Sequence, residues 1–398
     1  MLFSGVGKVF NLNYFLMKKV YLDSAATTQV RPEVISKMQE ALVNCYGNPS
    51  SSHGFGRTAK TAIEKARKTI AKYLNAHPSE IIFTSGGTEA DNMILRCSVR
   101  DLGVRTLITS KIEHHAVLHT AAALSQEYGV ELLFVELDGN GNPDLVHLES
   151  LLRRDGSKKL VSLMHVNNEI GNIVDITAVG KLCMENDALF HSDTVQSIGH
   201  FPWDVQKANA HFLTAAAHKF HGPKGVGFAY IKRNSGLKPL IFGGSQERGF
   251  RAGTEPFHNI VGLEEAFKAA YDHLEEERNY VRELKRYFIE KISKAIPDVA
   301  FNGLSGDMER GTYTLVNVRL PFDPEKALML LFHLDLMGIA CSKGSACQSG
   351  SDIGSHVLAE ILSDADMEKP SLRFSFSKYN TKAELDYVVG VLSEFGSD

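Results

Sequence analysis

The chain has 398 residues, 43% of them hydrophobic and 23% charged, with a formal net charge of −4. That is the balance of a globular protein with room for two or three domains. It gives no electrostatic case for nucleic acid or an anionic membrane, and no apolar stretch approaches the roughly 20 residues of a membrane span.

The five cysteines, at positions 45, 97, 183, 341 and 347, are odd in number. They fit a reducing, cytoplasmic setting better than a disulfide framework, and no second close pair exists to complete a zinc site. Residues 1–16 carry one charge, Lys8, and lack the basic start and small-residue cleavage site of a signal peptide. Met17-Lys18-Lys19-Val20 reads as the natural beginning, with 1–16 as an upstream extension. From about residue 30 to 230, short apolar runs alternate with helical patterns. Ile81-Ile82-Phe83, Thr106-Leu107-Ile108, Leu132-Leu133-Phe134-Val135, residues 160–164, Ala188-Leu189-Phe190, residues 211–214 and residues 226–230 read as strands. Stretches near 59–73, 88–101, 115–128, 145–154 and 175–186 read as helices. Such alternation predicts an α/β fold with a mostly parallel sheet buried on both faces and a ligand site at its strand ends.

A long charged helix, about 259–295, carries Glu275-Glu276-Glu277-Arg278 on a solvated face and leads into a second unit. That unit has a strand-like run at 312–320, a helix near 324–335, a Gly/Ser-rich loop around Cys347, a strand-like run at 372–377 and a last helix near 381–394. The expected organisation is therefore a large α/β domain over 33–274 and a smaller α+β domain built from 17–32 and 275–398.

Lys219 stands just after a predicted strand, in Ala217-His218-Lys219-Phe220-His221-Gly222-Pro223. A Schiff-base lysine needs a fixed position and a lowered pKa, which burial supplies; alone, the run also fits a surface turn. Ser85-Gly86-Gly87-Thr88-Glu89 follows a strand and opens a helix, which aims N–H groups and the helix dipole at an anion such as a phosphate. A plain strand-to-helix turn is the alternative, and the glycine spacing is not that of a dinucleotide loop. In His191-Ser192-Asp193-Thr194-Val195-Gln196, the Asp193 carboxylate suits a protonated pyridinium nitrogen or a helix cap. Glu113-His114-His115 holds adjacent imidazoles. Sequence neighbours point apart and no His-Glu-x-x-His pattern accompanies them, so stacking on a cofactor ring competes with metal ligation. Cys347 lies among Gly344, Ser345, Ser349, Gly350 and Ser351, where a thiol is accessible. Cys97 and Cys183 read as small core residues.

These motifs, in this order, resemble those of the cysteine desulfurases of the NifS/IscS type, pyridoxal-phosphate enzymes of the aspartate-aminotransferase fold (fold type I). The resemblance runs from about Val20 to the C-terminus. It also takes in Tyr21-Leu22-Asp23-Ser24-Ala25-Ala26-Thr27-Thr28, Gly47-Asn48-Pro49-Ser50-Ser51, residues 83–92, His165-Val166-Asn167-Asn168-Glu169-Ile170-Gly171, Arg251-Ala252-Gly253-Thr254 and Gly344-Ser345-Ala346-Cys347. It implies that Lys219 holds pyridoxal 5′-phosphate as a Schiff base, that Asp193 pairs with the ring nitrogen, and that Gln196 contacts the ring oxygen. It further implies that His114 stacks on the ring and moves protons, and that Gly87, Thr88 and His218 hold the phosphate. Thr254 would reach over from the partner subunit of a homodimer, and Asn168 and Arg373 would bind the carboxylate of L-cysteine. Cys347 would take the sulfur as a persulfide and pass it to an acceptor protein, for iron–sulfur assembly or tRNA thiolation. No metal is implied. A selenocysteine lyase or another β-lyase is the near rival, and a non-catalytic sulfur carrier or scaffold the distant one.

The chain departs from the pattern in three places. Where the family has a serine three residues before the lysine, this chain has Ala216, which removes a phosphate hydrogen bond worth about 1.5–3 kcal/mol unless Ser192 or Thr214 replaces it. The loop after Cys347 reads Gln348-Ser349-Gly350-Ser351 in place of a Leu-Glu-Pro element, although its length matches the long-loop group. The chain ends at Asp398, without the tail through which housekeeping members dock an iron–sulfur scaffold.

Overall fold

The structure, a computed structural model, describes residues 19–343 and 354–397. A short strand β1 (Val20–Tyr21) precedes helices α1 (Pro32–Asn44) and α2 (Gly54–Leu74). Alternation then sets in: β2 (Ile81–Thr84), α3 (Gly87–Leu102), β3 (Thr106–Thr109), α4 (His115–Tyr128), β4 (Glu131–Phe134), α5 (Leu145–Leu152), β5 (Lys159–Ser162), α6 (Ile176–Glu185), β6 (Leu189–Asp193), β7 (Phe212–Ala216) and β8 (Gly227–Ile231). Helices α7 (Phe257–Asp272) and α8 (Leu274–Ala295) lead to β9 (Ala300–Phe301), β10 (Leu315–Arg319), α9 (Pro324–Leu336), β11 (Ile339–Ala340), α10 (His356–Ala359), α11 (Asp364–Met367), β12 (Ser371–Ser375) and α12 (Lys382–Ser397).

Seven strands form one sheet in the order β2-β8-β7-β6-β5-β3-β4. Strands β7, β6, β5, β3 and β4 are parallel, and β8 runs antiparallel to both of its neighbours. The two-residue period of a strand sends alternate side chains to opposite faces. Ile81, Phe83, Leu213 and Ala215 join an apolar core with α2 and α7, while Ile82, Leu107, Leu160 and Phe212 join another with α3 and α4. This two-sided burial is what the unbroken apolar runs predict; the edge strand β4 is partly exposed along its length.

A second sheet, β12-β10-β9, is antiparallel and packs its apolar face on α8 and α12 around Phe288, Phe374, Leu385 and Val388. β1 pairs with β11. Bridges from Asp23 to Ser375 and from Ser342 to Arg373 lay that pair along β12.

One expected element is different. The helix predicted over 259–295 is two helices, broken at His273. The Glu275-Glu276-Glu277 run lies in the first turn of α8, where carboxylates meet the positive end of the helix dipole. It marks a helix start, not the solvated middle of a long rod. Nor is Glu277 solvated: it is half-buried and paired with Arg31 at 2.6 Å and Lys378 at 3.1 Å. The break frees α7, apolar on most sides, to pack with α1 and α2, while amphipathic α8 serves the other core. The sequence reading also passed over α1, whose start is set by Pro32 at the first helical position.

A buried ion pair anchors the outer strand β2. Arg67 of α2 meets both oxygens of Glu247, at 2.8 and 3.0 Å, and Glu247 also accepts the Phe83 N–H at 2.8 Å. Removing one member of such a pair strands the other in a dry interior. Glu247→Ala is expected to lower stability by about 3–5 kcal/mol, read as a fall in the urea midpoint; a midpoint unchanged from wild type would refute this anchoring role.

Candidate active site

Strands β2, β3, β5, β6 and β7 point the same way, so the loops at their C-terminal ends meet at one edge. There they enclose a cavity of about 370 Å³ lined by Gly87, Thr88, His114, Asn168, Asp193, Gln196, His218, Lys219 and Arg373, among others. Nine of the positions singled out in the sequence are thus brought together. Two are not. Thr254 is exposed and lies by a separate depression of about 190 Å³ with Ser85, Glu247 and Arg251. Cys347 lies outside the described residues.

Lys219 follows β7 in a short 3₁₀ turn. Its Nζ donates to the carbonyls of Ala25, at 2.6 Å, and Ala26, at 3.0 Å. Gln196 Nε2 donates to the same Ala25 carbonyl at 2.9 Å. The lysine is therefore a fixed, part-buried amine and not a surface turn. Asp193 ends β6, where its Oδ1 accepts the Val195 N–H at 2.9 Å. Burial, and then the nearby Asp91, push its carboxyl up to about 7.

His114 is the N-cap of α4, its Nδ1 accepting the Ala116 N–H at 3.1 Å. That bond assigns the proton of the neutral ring to Nε2. Burial, and then the charge of Lys219, lower His114 to about 4, and His218 likewise. Both rings are neutral at physiological pH. The adjacent imidazoles of His114 and His115 stand 6.3 Å apart, and His115 packs on His356 and His119 at 4.4 and 4.8 Å.

Arg373 projects from the middle of β12 and is almost fully buried. Its Nη1 donates to the Asn168 carbonyl at 2.7 Å and its Nη2 to Asp23 Oδ1 at 2.9 Å, while its Nε has no partner among the described residues. Ser342 Oγ donates to the same Asp23 oxygen at 2.9 Å. Beyond the segment that holds Cys347, Ser355 donates to Glu169 and the His356 ring meets the Glu113 carbonyl at 3.0 Å. Both ends of that segment are thus tied to the cavity wall.

The residues present fit pyridoxal phosphate. The cavity contains a fixed amine and sets a buried carboxylate beside neutral imidazoles. It also receives the first turn of α3, whose leading N–H groups have no acceptor within the helix. Gly87 is required there: a Cβ would stand 2.8 Å from Val195 Cγ2. Ala216 lines the cavity, whereas Ser192 and Thr214, the suggested replacements for the missing serine, do not. Thr214 Oγ1 is instead engaged with the His191 ring at 3.2 Å.

The sequence reading missed Asp91 and assigned nothing to Glu113. Asp91 lines the cavity, and its carboxylate lies within 4.8 Å of ligating atoms of both Asp193 and His114. The available signal was helical spacing: Asp91 follows Gly87 by four residues and Thr88 by three, which places all three on one face. Glu113 is buried with its oxygens on Ser110 and the Met164 N–H, and burial pushes it up to about 8.

The Aminotransferase class-V family model matches residues 20–388. The cysteine desulfurase IscS of Dictyoglomus turgidum is 42% identical over 379 residues, covering 95% of this chain and 94% of that protein. The IscS of a Clostridium botulinum strain is 42% identical over 377 residues, covering 94% of each. Among solved structures, a NifS-like protein superposes with a TM-score of 0.86 at 35% identity, covering 95% of this chain and 99% of its own. SspA in complex with cysteine gives 0.79 at 32% identity, covering 91% of this chain and 100% of its own. Matched almost end to end in sequence and in fold, the chain belongs to the class-V aminotransferase family, among the cysteine desulfurases of the NifS/IscS type.

Proposed function

We propose that the chain converts L-cysteine to L-alanine with pyridoxal phosphate, taking the sulfur onto Cys347 as a persulfide and handing it to an acceptor protein. The carrying observation is that Lys219, Asp193 and Arg373, from three separate elements, line one cavity. Bound there, the cofactor supplies an electron sink for charge that develops at the substrate Cα.

Lys219 is the residue that would hold the cofactor covalently, with Asp193 at its ring nitrogen, Gln196 at its ring oxygen and His114 against its face. Gly87, Thr88 and His218 would hold its phosphate. Arg373 and Asn168 orient the substrate by its carboxylate, for which a planar guanidinium is suited because it meets both oxygens. Lys219 Nζ, when unprotonated, is the group that would take a proton from Cα, and His114 Nε2, which carries the proton of the neutral ring, is a group that could donate one. The Cys347 thiolate attacks the substrate sulfur; the carbon–sulfur bond breaks with its electron pair left on carbon, which takes up a proton to give alanine.

Two anchored ends support this role for Cys347. It stands five residues past Ser342, and an extended chain spans at most about 3.6 Å per residue, so it can reach the neighbouring cavity. Thr254 serves the partner's site in a homodimer; its exposed position outside this chain's own cavity supports that reading. Among the described residues no helix is long and apolar enough to cross a membrane, and a cytoplasmic setting with a protein acceptor fits the free thiols.

The visible spectrum of the purified protein tests the proposal, followed by addition of L-cysteine and reductant with alanine and sulfide measured. A Schiff-base absorption band is expected in wild type and in Cys347→Ala, and not in Lys219→Ala. Alanine release should vanish with Cys347→Ala; release that persists identifies a β-lyase instead. Arg373→Lys should reduce kcat/KM for cysteine about tenfold to a hundredfold, since loss of a charge-assisted bond costs about 1.5–3 kcal/mol. An unchanged kcat/KM would remove Arg373 from substrate binding. His114→Asn tests the electrostatics. A base whose folded pKa is depressed contributes stability that is present above its ordinary value of 6.5 and lost as pH falls toward about 4. The variant should therefore lose less stability than wild type over that window, by at most about 1.4 kcal/mol per pH unit, measured by urea unfolding.

A further inference from the structure

We infer that Asp91 is a neutral carboxylic acid paired with Asp193, a positioning residue that leaves Asp193 as the single anion facing the cofactor ring; the inference rests on the cofactor reading above. Asp91 is fully buried on α3, and neither of its oxygens has a hydrogen-bond partner among the described residues. Its carboxylate lies within 4.8 Å of the Asp193 carboxylate. Two carboxylates this close and this deeply buried do not both ionise, and the pair keeps a proton.

The surroundings decide which one keeps it. A charged Asp91 would raise Asp193; with Asp91 protonated that opposition is gone, and the Val195 N–H at 2.9 Å and the charge of Lys219 favour the Asp193 anion. Among the described residues Asp91 has no backbone N–H or cation beside it; only the Thr214 hydroxyl lies near enough to favour its anion, against the larger effect of burial. His191 on β6 approaches it, Nε2 to Oδ1 at 3.5 Å. That ring is held by Ser162 Oγ at 2.8 Å and Thr214 Oγ1 at 3.2 Å, and burial keeps it neutral, near 4. The Thr214 hydroxyl, which lies toward Asp91, is the one already engaged with His191. His114 is neutral, and Glu113, on the loop leading to α4, holds its own proton at neutral pH.

With its proton, Asp91 does not compete with Asp193 for the positive charge of a protonated ring nitrogen. Without that proton, two anions would face one cation, and the ring would hold its proton to higher pH.

Infrared spectra of the protein labelled with ¹³C at its aspartate carboxyls test this directly, with and without cofactor, near neutral pH. An isotope-shifted carbonyl stretch of a protonated acid is expected, distinct from the unshifted band of Glu113, and it should disappear in Asp91→Asn. The bound cofactor of Asp91→Asn should change its visible spectrum with pH within about 0.3 units of wild type, because an amide replaces a neutral acid. Absence of the aspartic-acid band from labelled wild type, which needs no variant to fold, overturns the inference. So does a shift of more than about one unit in Asp91→Asn, the mark of a lost charge. A protein that never develops the visible band fails the cofactor reading, and with it the role given to Asp91, while the infrared result still reports where the proton is.

Discussion

The site depends on one buried guanidinium. Arg373 is held by the Asp23 carboxylate near the start of the chain and by the Asn168 carbonyl from the loop after β5, so it ties the three-stranded sheet to the seven-stranded one. A buried cation of this kind is stable only while its partners stay in place. Asp23 in turn accepts from Ser342 at the root of the Cys347 segment. The joining of the two sheets, the placing of Ser342 and the proposed recognition of the substrate carboxylate therefore share one side chain.

Around it the cavity is arranged so that charge is scarce. Burial holds Glu113 and one of the Asp91–Asp193 pair protonated and keeps the imidazoles of His114, His191 and His218 neutral. In such a medium the few remaining charges act strongly on one another, and they are the ones a cationic ring and an anionic substrate would meet. The neutral groups contribute shape and hydrogen bonds in a fixed arrangement, which is how a preorganised site acts without reorganising during the reaction.

The parallel strands were legible because a strand buried on both faces must be apolar throughout, as β5 and β7 are. The loops at their ends were legible because phosphate turns and lysine turns have compact signatures. What escaped depends on tertiary placement. The break at His273 has no proline or glycine to announce it; it exists because α7 and α8 belong to different cores. Asp91 looks like any polar residue of a helix until the opposite strand shows what it faces. Ala216 was recognised as a departure, but whether a neighbour replaces the missing hydroxyl depends on tertiary placement: Ser192 presents the other face of β6, and Thr214 shares the Ala216 face but has its hydroxyl on the His191 ring.

The segment holding Ala25 has a consequence for synthesis. Ala25 carries the carbonyl that receives Lys219, and its own N–H donates to Ser375 Oγ at 2.8 Å, 350 residues away. The wall of the pocket that faces the amine is thus set by contacts between the two ends of the polypeptide. A ribosome delivers the large sheet with its lysine long before it delivers β12, so the nascent chain passes through a stage with its core formed and its pocket unwalled. A truncated chain that folds its main sheet would therefore present an unclosed site.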